Sequence, residues 1–179
     1  MASVNPSLSR LRQDAAGIFQ SGIDAVNAEA AVFNACQISG ARLQILGTSF
    51  DLSAYENVYV IGAGKASADM AAAIESLLGD RITGGLITVK YGHTRPLKSI
   101  DLLEAGHPLP DANGLKGAKR ILEMADQATA SDLILCLLSG GGSALLPQPA
   151  RGLTLTDKQA VIQALLDCGA TINEINAIR

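Results

Sequence analysis

Val58-Tyr59-Val60-Ile61-Gly62-Ala63-Gly64-Lys65-Ala66-Ser67 decides the fold. A β-rich apolar run enters a glycine turn, and an Ala-rich stretch from about Lys65 to Leu78 follows, closed by Gly79. Such a run, too short for a helix and leading straight into one, reads as a strand–turn–helix unit. Downstream the rhythm repeats. Leu86-Ile87-Thr88-Val89 is a second strand, and Ile100 to Leu103 a third, weaker one. Ala112 to Ala128 reads as a helix with Leu115, Ala118, Leu122 and Ala125 on one face. Leu133 to Leu138 is apolar at every position, as expected of a parallel strand covered by helices on both sides. Thr156 with Gln159 forms a capping-box pattern opening a helix to about Cys168, and Thr171 with Glu174 forms another.

Upstream, Leu8, Leu11, Ala15, Ile18 and Gly22 recur at spacings of three and four, predicting an amphipathic helix to about Val26. Its stripe spans barely two heptads, so packing onto its own domain is expected rather than a coiled coil. A second helical stretch, 28–37, is expected to stop near Ser39-Gly40. The fold class that follows is α/β: a doubly wound, mostly parallel Rossmann-like sheet with helices on both faces, preceded by an N-terminal helical segment. The boundaries expected are 1–40 for that segment, packing on the core, and 41–179 for the first part of the α/β domain. Ile172, Ile175 and Ile178 begin an apolar helical stripe that stops at Arg179 without a C-cap, so a truncated chain is expected.

Composition narrows the function classes. With 48% hydrophobic and 17% charged residues among 179, the chain can bury a core and is not intrinsically disordered. A net charge of −3 and 3% aromatics with no Trp leave no electrostatic footprint or stacking platform for nucleic acid. The longest aliphatic run, Leu133 to Leu138, is far short of the ~20 residues that span a bilayer. Polar residues Ser9, Arg10, Arg12, Gln13 and Asp14 stand where a signal peptide is apolar, so a cytoplasmic protein is expected. Cys36, Cys136 and Cys168 lack metal-site spacing and are expected to be buried thiols. His93 and His107 are the only histidines, so no His/Cys metal cluster is assembled and no metal-ligating residue is assigned.

Right-handed crossovers place the turns after Ile61, Leu103 and Leu138 at one carboxyl edge, where ligands bind in such sheets. At the first turn, Gly62 and Gly64 permit close backbone approach, and the turn aims amide N–H groups at an anion. Neither familiar phosphate motif fits. A dinucleotide fingerprint wants Gly at 67, where Ser67 stands, and an acid where the second strand ends at Val89-Lys90. A P-loop wants Gly at 59 and a hydroxyl at 66, where Tyr59 and Ala66 stand. Lys65 is poorly placed at a helix N-terminus unless an anion shares the site. Otherwise it extends to solvent, and Gly64 serves helix–sheet packing.

Ser139-Gly140-Gly141-Gly142-Ser143 leaves the apolar strand as three successive glycines between two hydroxyls. That pattern is costly in entropy and reads as an oxyanion or phosphate cradle rather than a linker. It is no esterase elbow, since neither serine has glycines two before and two after it. His107, in a Pro-stiffened loop, either binds ligand, handles a proton or bonds its own loop. Asp111 is expected to cap the next helix and Glu174 to complete its capping box. Asn173, Asn176 and Arg179 face either solvent or a site wall.

VIGAGKAS at 60–67, GHPLPDANG at 106–114, LLSGGGSALLPQP at 137–149 and INEINAIR at 172–179 together resemble the glycerate 2-kinase family. These are the kinases with a C-terminal MOFRL domain, often given the older label hydroxypyruvate reductase. The resemblance runs from about Pro6 to Arg179 and covers only the N-terminal portion of family members, which are more than twice this length. It implies ATP-dependent phosphorylation of glycerate at its 2-hydroxyl to 2-phosphoglycerate, with Mg²⁺ as helper ion. It further implies Lys65 as catalytic lysine, and Gly62, Gly64, Ser139, Gly140, Gly141, Gly142 and Ser143 as the phosphate or substrate cradle. His107, Glu174 and Arg179 lie in matching motifs and join the binding candidates. The fragment alone is expected to be inactive, with glycerate as small-molecule partner and homo-oligomerisation left open. Two other readings stand beside it: an NAD(P)H-dependent hydroxypyruvate reductase, and a non-catalytic anion-binding or assembly module.

Overall fold

The structure is a computed structural model and describes residues 6–178. Arg179 lies outside the described residues. The chain opens with α1 (Pro6–Ala25) and α2 (Ala28–Ala35) and then forms a three-stranded antiparallel sheet, β1 (Cys36–Ser39), β2 (Arg42–Ile45) and β3 (Thr48–Asp51). The parallel sheet is built from β4 (Asn57–Ala63), β5 (Gly84–Lys90), β6 (Asp101–Ala105) and β7 (Asp132–Leu138), in the order β6-β5-β4-β7. Helix α3 (Ser67–Leu78) follows β4, and α4 (Ala112–Gln127) joins β6 to β7. A single turn, α5 (Gly142–Leu145), then α6 (Leu155–Asp167) and α7 (Ile172–Ile178) complete the described chain.

The mixed α/β class with a parallel Rossmann-like sheet is the one expected from the strand–helix rhythm. Alternation along β4 explains its two-sided core. Val58 and Val60 join Ile87, Val89, Leu135 and Leu137 on the face that carries α3 and the antiparallel sheet. Ile61 packs with Leu86 and Ile121 beneath α4 on the other face. Successive side chains of a strand point to opposite faces, so both halves of this run find apolar partners.

Several details differ from the sequence reading. Residues 36–51, where the sequence predicts a helix end at about Gln37 and no strand, fold into the antiparallel sheet; only Leu43 of β2 is fully buried there, and the mostly polar strands carry little apolar signal. The apolar stripe of α1 is not packed: Leu11, Ile18 and Phe19 are 64%, 75% and 70% exposed. β7 pairs on one side only among the described residues, and its second face is open, with Cys136 and Leu138 exposed. Cys168 is exposed too, so of the three thiols only Cys36 is buried. The buried face of α4 is Gly114, Gly117, Ala118 and Ile121, whereas Leu122 is 47% exposed. The glycines win that face because a Cβ at Gly117 would stand 2.5 Å from the Thr88 Oγ1 beneath it.

The capping box of α6 is formed by Thr154 and Asp157, not Thr156 and Gln159. Thr154 Oγ1 accepts from the Asp157 amide at 3.1 Å while the Asp157 carboxylate accepts from the Thr154 amide at 2.8 Å. Gln159 instead reaches across the fold, its Nε2 donating to the Pro110 carbonyl at 2.7 Å. The box at Thr171 and Glu174 forms as expected, with the Thr171 amide donating to Glu174 at 2.8 Å.

Candidate functional site

The parallel register brings the glycine turns together. Ala63, last in β4, pairs with Leu138, last in β7, and with Thr88 of β5, so residues 64–67 and 139–142 emerge side by side at the carboxyl edge. The contact between them is close, backbone against backbone and against the Ser139 hydroxyl. A Cβ at Gly62 would stand 2.0 Å from the Leu137 carbonyl oxygen, and one at Gly64 would stand 2.0 Å from Ser139 Oγ. Both glycines are therefore required by the approach of β7.

The amides of the first turn are spent inside the protein. Gly64 donates to the Thr88 carbonyl at 3.1 Å, Lys65 to the Gly140 carbonyl at 3.0 Å, and Ser67 to the Gly64 carbonyl at 3.3 Å. The Ala66 amide donates to Ser139 Oγ at 3.1 Å. Ser139 thus serves the N-terminus of α3 as a cap supplied from another strand. Ser67, which replaces the third glycine of a dinucleotide fingerprint, is fully buried, with Oγ 3.0 Å from Ser139 Oγ. From this turn only the Lys65 side chain, which is exposed, reaches the site.

The second turn is different. Ser139 donates its amide to Ala63 and Gly142 donates to Ser139, but the Gly140 and Gly141 amides donate to no group among the described residues. Gly141 has φ +94°, a left-handed conformation, and a Cβ there would stand 2.9 Å from both Cδ2 and Nε2 of His107 and 3.5 Å from Lys65 Cγ. The glycine is needed because the imidazole lies against it.

These pieces line a cleft of about 750 Å³ that contains Lys65, His107, Ser139, Gly141, Ser143 and Asn176. Its charged lining residue is Lys65, and no carboxylate lines it. A cation, a histidine and the unspent amide of Gly141 bordering open volume are chemically suited to an anion. The same donor chemistry fits phosphate oxygens, so it suits the phosphates of a nucleotide or a phosphorylated product. It does not fit Mg²⁺: among the described residues no three His, Cys, Asp or Glu side chains gather where they could hold a metal ion.

Several candidates fall elsewhere. Glu174 is outside the cleft and spends its carboxylate on Thr171, whose amide and hydroxyl donate to it at 2.8 and 2.9 Å. Those donors hold its carboxyl below the usual range. Asp111 is the expected cap: its Oδ1 accepts from the Gly114 amide at 2.9 Å. Burial pushes its carboxyl up, but the Gly114 amide and the Tyr91 hydroxyl outweigh that and hold it low. Asn176 does face the cleft, as the site-wall reading of the last helix allowed. Tyr91 was not singled out in the sequence. Its hydroxyl donates to Asp111 Oδ2 at 2.8 Å and accepts from Asn113 Nδ2 at 3.1 Å, partners 20 and 22 residues away.

Fold and cleft together define an α/β domain of the open parallel-sheet class with a cleft at its carboxyl edge that a lysine and a histidine line and no carboxylate does. The chain belongs to the DUF4147 family, described as a domain of unknown function, which matches residues 14–179. A Pyrococcus horikoshii protein named glycerate 2-kinase is 40% identical over 157 residues, covering 88% of this chain and 35% of the relative. An Agrobacterium vitis protein provisionally named a hydroxypyruvate reductase is 49% identical over 120 residues, covering 67% of this chain and 31% of the relative. A crystal structure of a Pyrococcus horikoshii protein superposes with a TM-score of 0.80 at 36% identity, covering 100% of this chain and 39% of that one. The chain therefore spans about a third of the length of the curated relatives it matches.

Proposed function

We propose that this chain supplies the phosphate-handling half of a glycerate 2-kinase site, in which ATP phosphorylates the 2-hydroxyl of glycerate to give 2-phosphoglycerate. The observation that carries the reading is the cleft lined by Lys65, His107 and Gly141, whose amide is unspent, with no carboxylate among its lining residues. The kinase name of the Pyrococcus relative supports it. In the transfer, the glycerate 2-oxygen forms a bond to the terminal phosphorus, the bridging P–O bond breaks so that ADP departs with the bridging oxygen, and the hydroxyl proton is released to water. ATP, when bound, supplies the phosphoryl group. The Lys65 ammonium offsets charge on the transferring oxygens, and the Gly141 amide donates to an oxygen lying over the second turn. Such chemistry depends on positioning and electrostatic stabilisation, which these groups provide. Ser143 and Asn176 border the same volume and are assigned to substrate oxygens. Mg²⁺ takes no step here, since the described residues do not supply its ligands. Within this reading the protein works in the cytoplasm on a small-molecule substrate.

A reductase reading has the name of the Agrobacterium relative behind it. Ser67 opposes it, being buried and bonded at the position where a dinucleotide fold needs its third glycine. A graft tests the choice. Residues 14–178 replace the matching third of the Pyrococcus relative, and the product is assayed with ATP and glycerate, resolving 2- from 3-phosphoglycerate. Formation of 2-phosphoglycerate that is lost on Lys65→Ala is the expected result. A graft that instead oxidises a nicotinamide cofactor with hydroxypyruvate overturns the kinase reading.

A further inference from the structure

The loop that carries His107 into the cleft is short and is held at both ends by one residue outside it, by its backbone amide at one end and its side chain at the other. Tyr91 follows β5 directly. Its amide donates to the carbonyl of Ala105 at 3.3 Å, the last residue before the loop. Its hydroxyl donates to Oδ2 of Asp111 at 2.8 Å, the residue that ends the loop. Asn113 then donates to the Tyr91 hydroxyl at 3.1 Å, so this oxygen is both donor and acceptor. Asp111 cannot swing away, because its other oxygen accepts the Gly114 amide at 2.9 Å. Between the two anchors lie Gly106, His107, Pro108, Leu109 and Pro110, and the carbonyl of Pro110 is held by Gln159 from α6.

We infer that Tyr91 is a positioning residue of the anion site: by tying Ala105 to Asp111 it holds His107 against Gly141 beside Lys65. The inference rests on the reading of this cleft as a phosphate site and names a residue that touches no ligand. Its physical basis is that two proline rings and fixed ends leave the loop few conformations, and each end is fixed through Tyr91. The phenol is 50% exposed, so its ring contributes little to the core, and its hydroxyl is the working part. The Tyr91 hydroxyl is harder to ionise than a free phenol because it donates to the Asp111 carboxylate, which keeps it a donor throughout the neutral range.

The test uses the 179-residue chain and its only two histidines, His93 and His107, as spectroscopic probes. Ring ¹H–¹³C resonances are recorded with and without inorganic phosphate, with His107→Gln providing the assignment. In Tyr91→Phe the His107 ring resonance is expected to move or broaden, and apparent phosphate affinity at His107 to fall about five- to tenfold, the scale of one lost hydrogen bond. Asp51→Ala, which removes a turn cap in the hairpin region, is the control and leaves both readouts unchanged. If Tyr91→Phe leaves the His107 ring and its phosphate response as they were, the positioning role is overturned while the anion site stands. If wild type shows no phosphate response, the anion site itself fails. The positioning claim is then judged on the His107 resonance alone, confirmed by a change and overturned by none. Should Tyr91→Phe not fold, Asp111→Asn breaks the same charge-assisted bond while keeping an acceptor for Gly114, and must reproduce the His107 change.

Discussion

Ser139 and Ser67, 72 residues apart in the chain, hold their hydroxyl oxygens 3.0 Å from each other. Ser139 Oγ also accepts the Ala66 amide at 3.1 Å, so one side chain from the end of β7 closes the start of α3. The two glycine turns are therefore a single structure, joined across the sheet edge. Ser139→Ala leaves the Ala66 amide without its acceptor and is expected to cost about 1–2 kcal/mol in denaturant unfolding. Gly64→Ala, which drives a Cβ into the same hydroxyl and the backbone behind it, costs more, about 2–3 kcal/mol. Equal midpoints for Gly64→Ala and wild type would refute this account of the contact.

Lys65 and Gly141 separate binding from stability. Lys65 is exposed and its side chain caps nothing, so Lys65→Ala is expected to change unfolding free energy by less than about 0.5 kcal/mol. The same change removes the cation of the cleft and weakens phosphate binding about tenfold or more, as loss of a charged hydrogen bond does. Gly141→Ala is expected to lose both, because its Cβ meets the His107 ring and its φ is left-handed, a cost of about 1–2 kcal/mol. Calorimetric titration with phosphate and urea unfolding of both variants check the contrast.

Acid should weaken the fold through its capping carboxylates. Asp132 is held low by the Thr129 amide and the Asn57 side chain, Asp157 by the Thr154 hydroxyl and amide, and Glu174 by the Thr171 amide and hydroxyl. Asp111 joins them, the donors there prevailing over burial. A carboxyl whose folded pKa lies below its unfolded value stabilises the protein fully above that unfolded value, about 4. The contribution then disappears as pH falls through the lower folded value. The melting temperature is expected to be flat from neutral pH to about 5 and to decline below about 4. Asp157→Asn makes the decline shallower; an unchanged slope in that variant would contradict the assignment.

Thiol labelling reads the open face of β7. Cys168 and Cys136 are exposed and Cys36 is buried, with burial raising the thiol pKa of both Cys36 and Cys136. Since the thiolate is the nucleophile, the expected order with a maleimide is Cys168, then Cys136, with Cys36 labelled only on unfolding. Mass mapping of the native protein over time gives the order. Protection of Cys136 equal to that of Cys36 would mean that something covers this face.

Much of the fold was legible because its signals are local. Val58 to Ile61 alternates against two apolar layers, Gly79 ends α3, Asp111 and Thr171 open helices, and each signal lies within a few residues of what it controls. The parallel sheet follows from those units by the handedness of their crossovers. Hairpins at 36–51 escaped notice because their strands are four residues long and mostly polar, with Leu43 as the one fully buried side chain of the middle strand.

What tertiary structure alone decided is which groups of the two glycine turns remain available. As sequences, GAGKAS and SGGGS both promise amides for an anion. In the fold, Gly62 and Gly64 serve the approach of β7, and the amides of 64–67 are consumed by Thr88, Gly140, Ser139 and Gly64. The amides of Gly140 and Gly141 stay unspent among the described residues, and Gly141 lies beside Lys65 and His107. Composition and spacing determined that a strand, a turn and a helix form here. A hydrogen-bond partner some 70 residues away belongs to no local pattern, so only the assembled sheet edge settles which turn keeps free amides and which one spends them on packing.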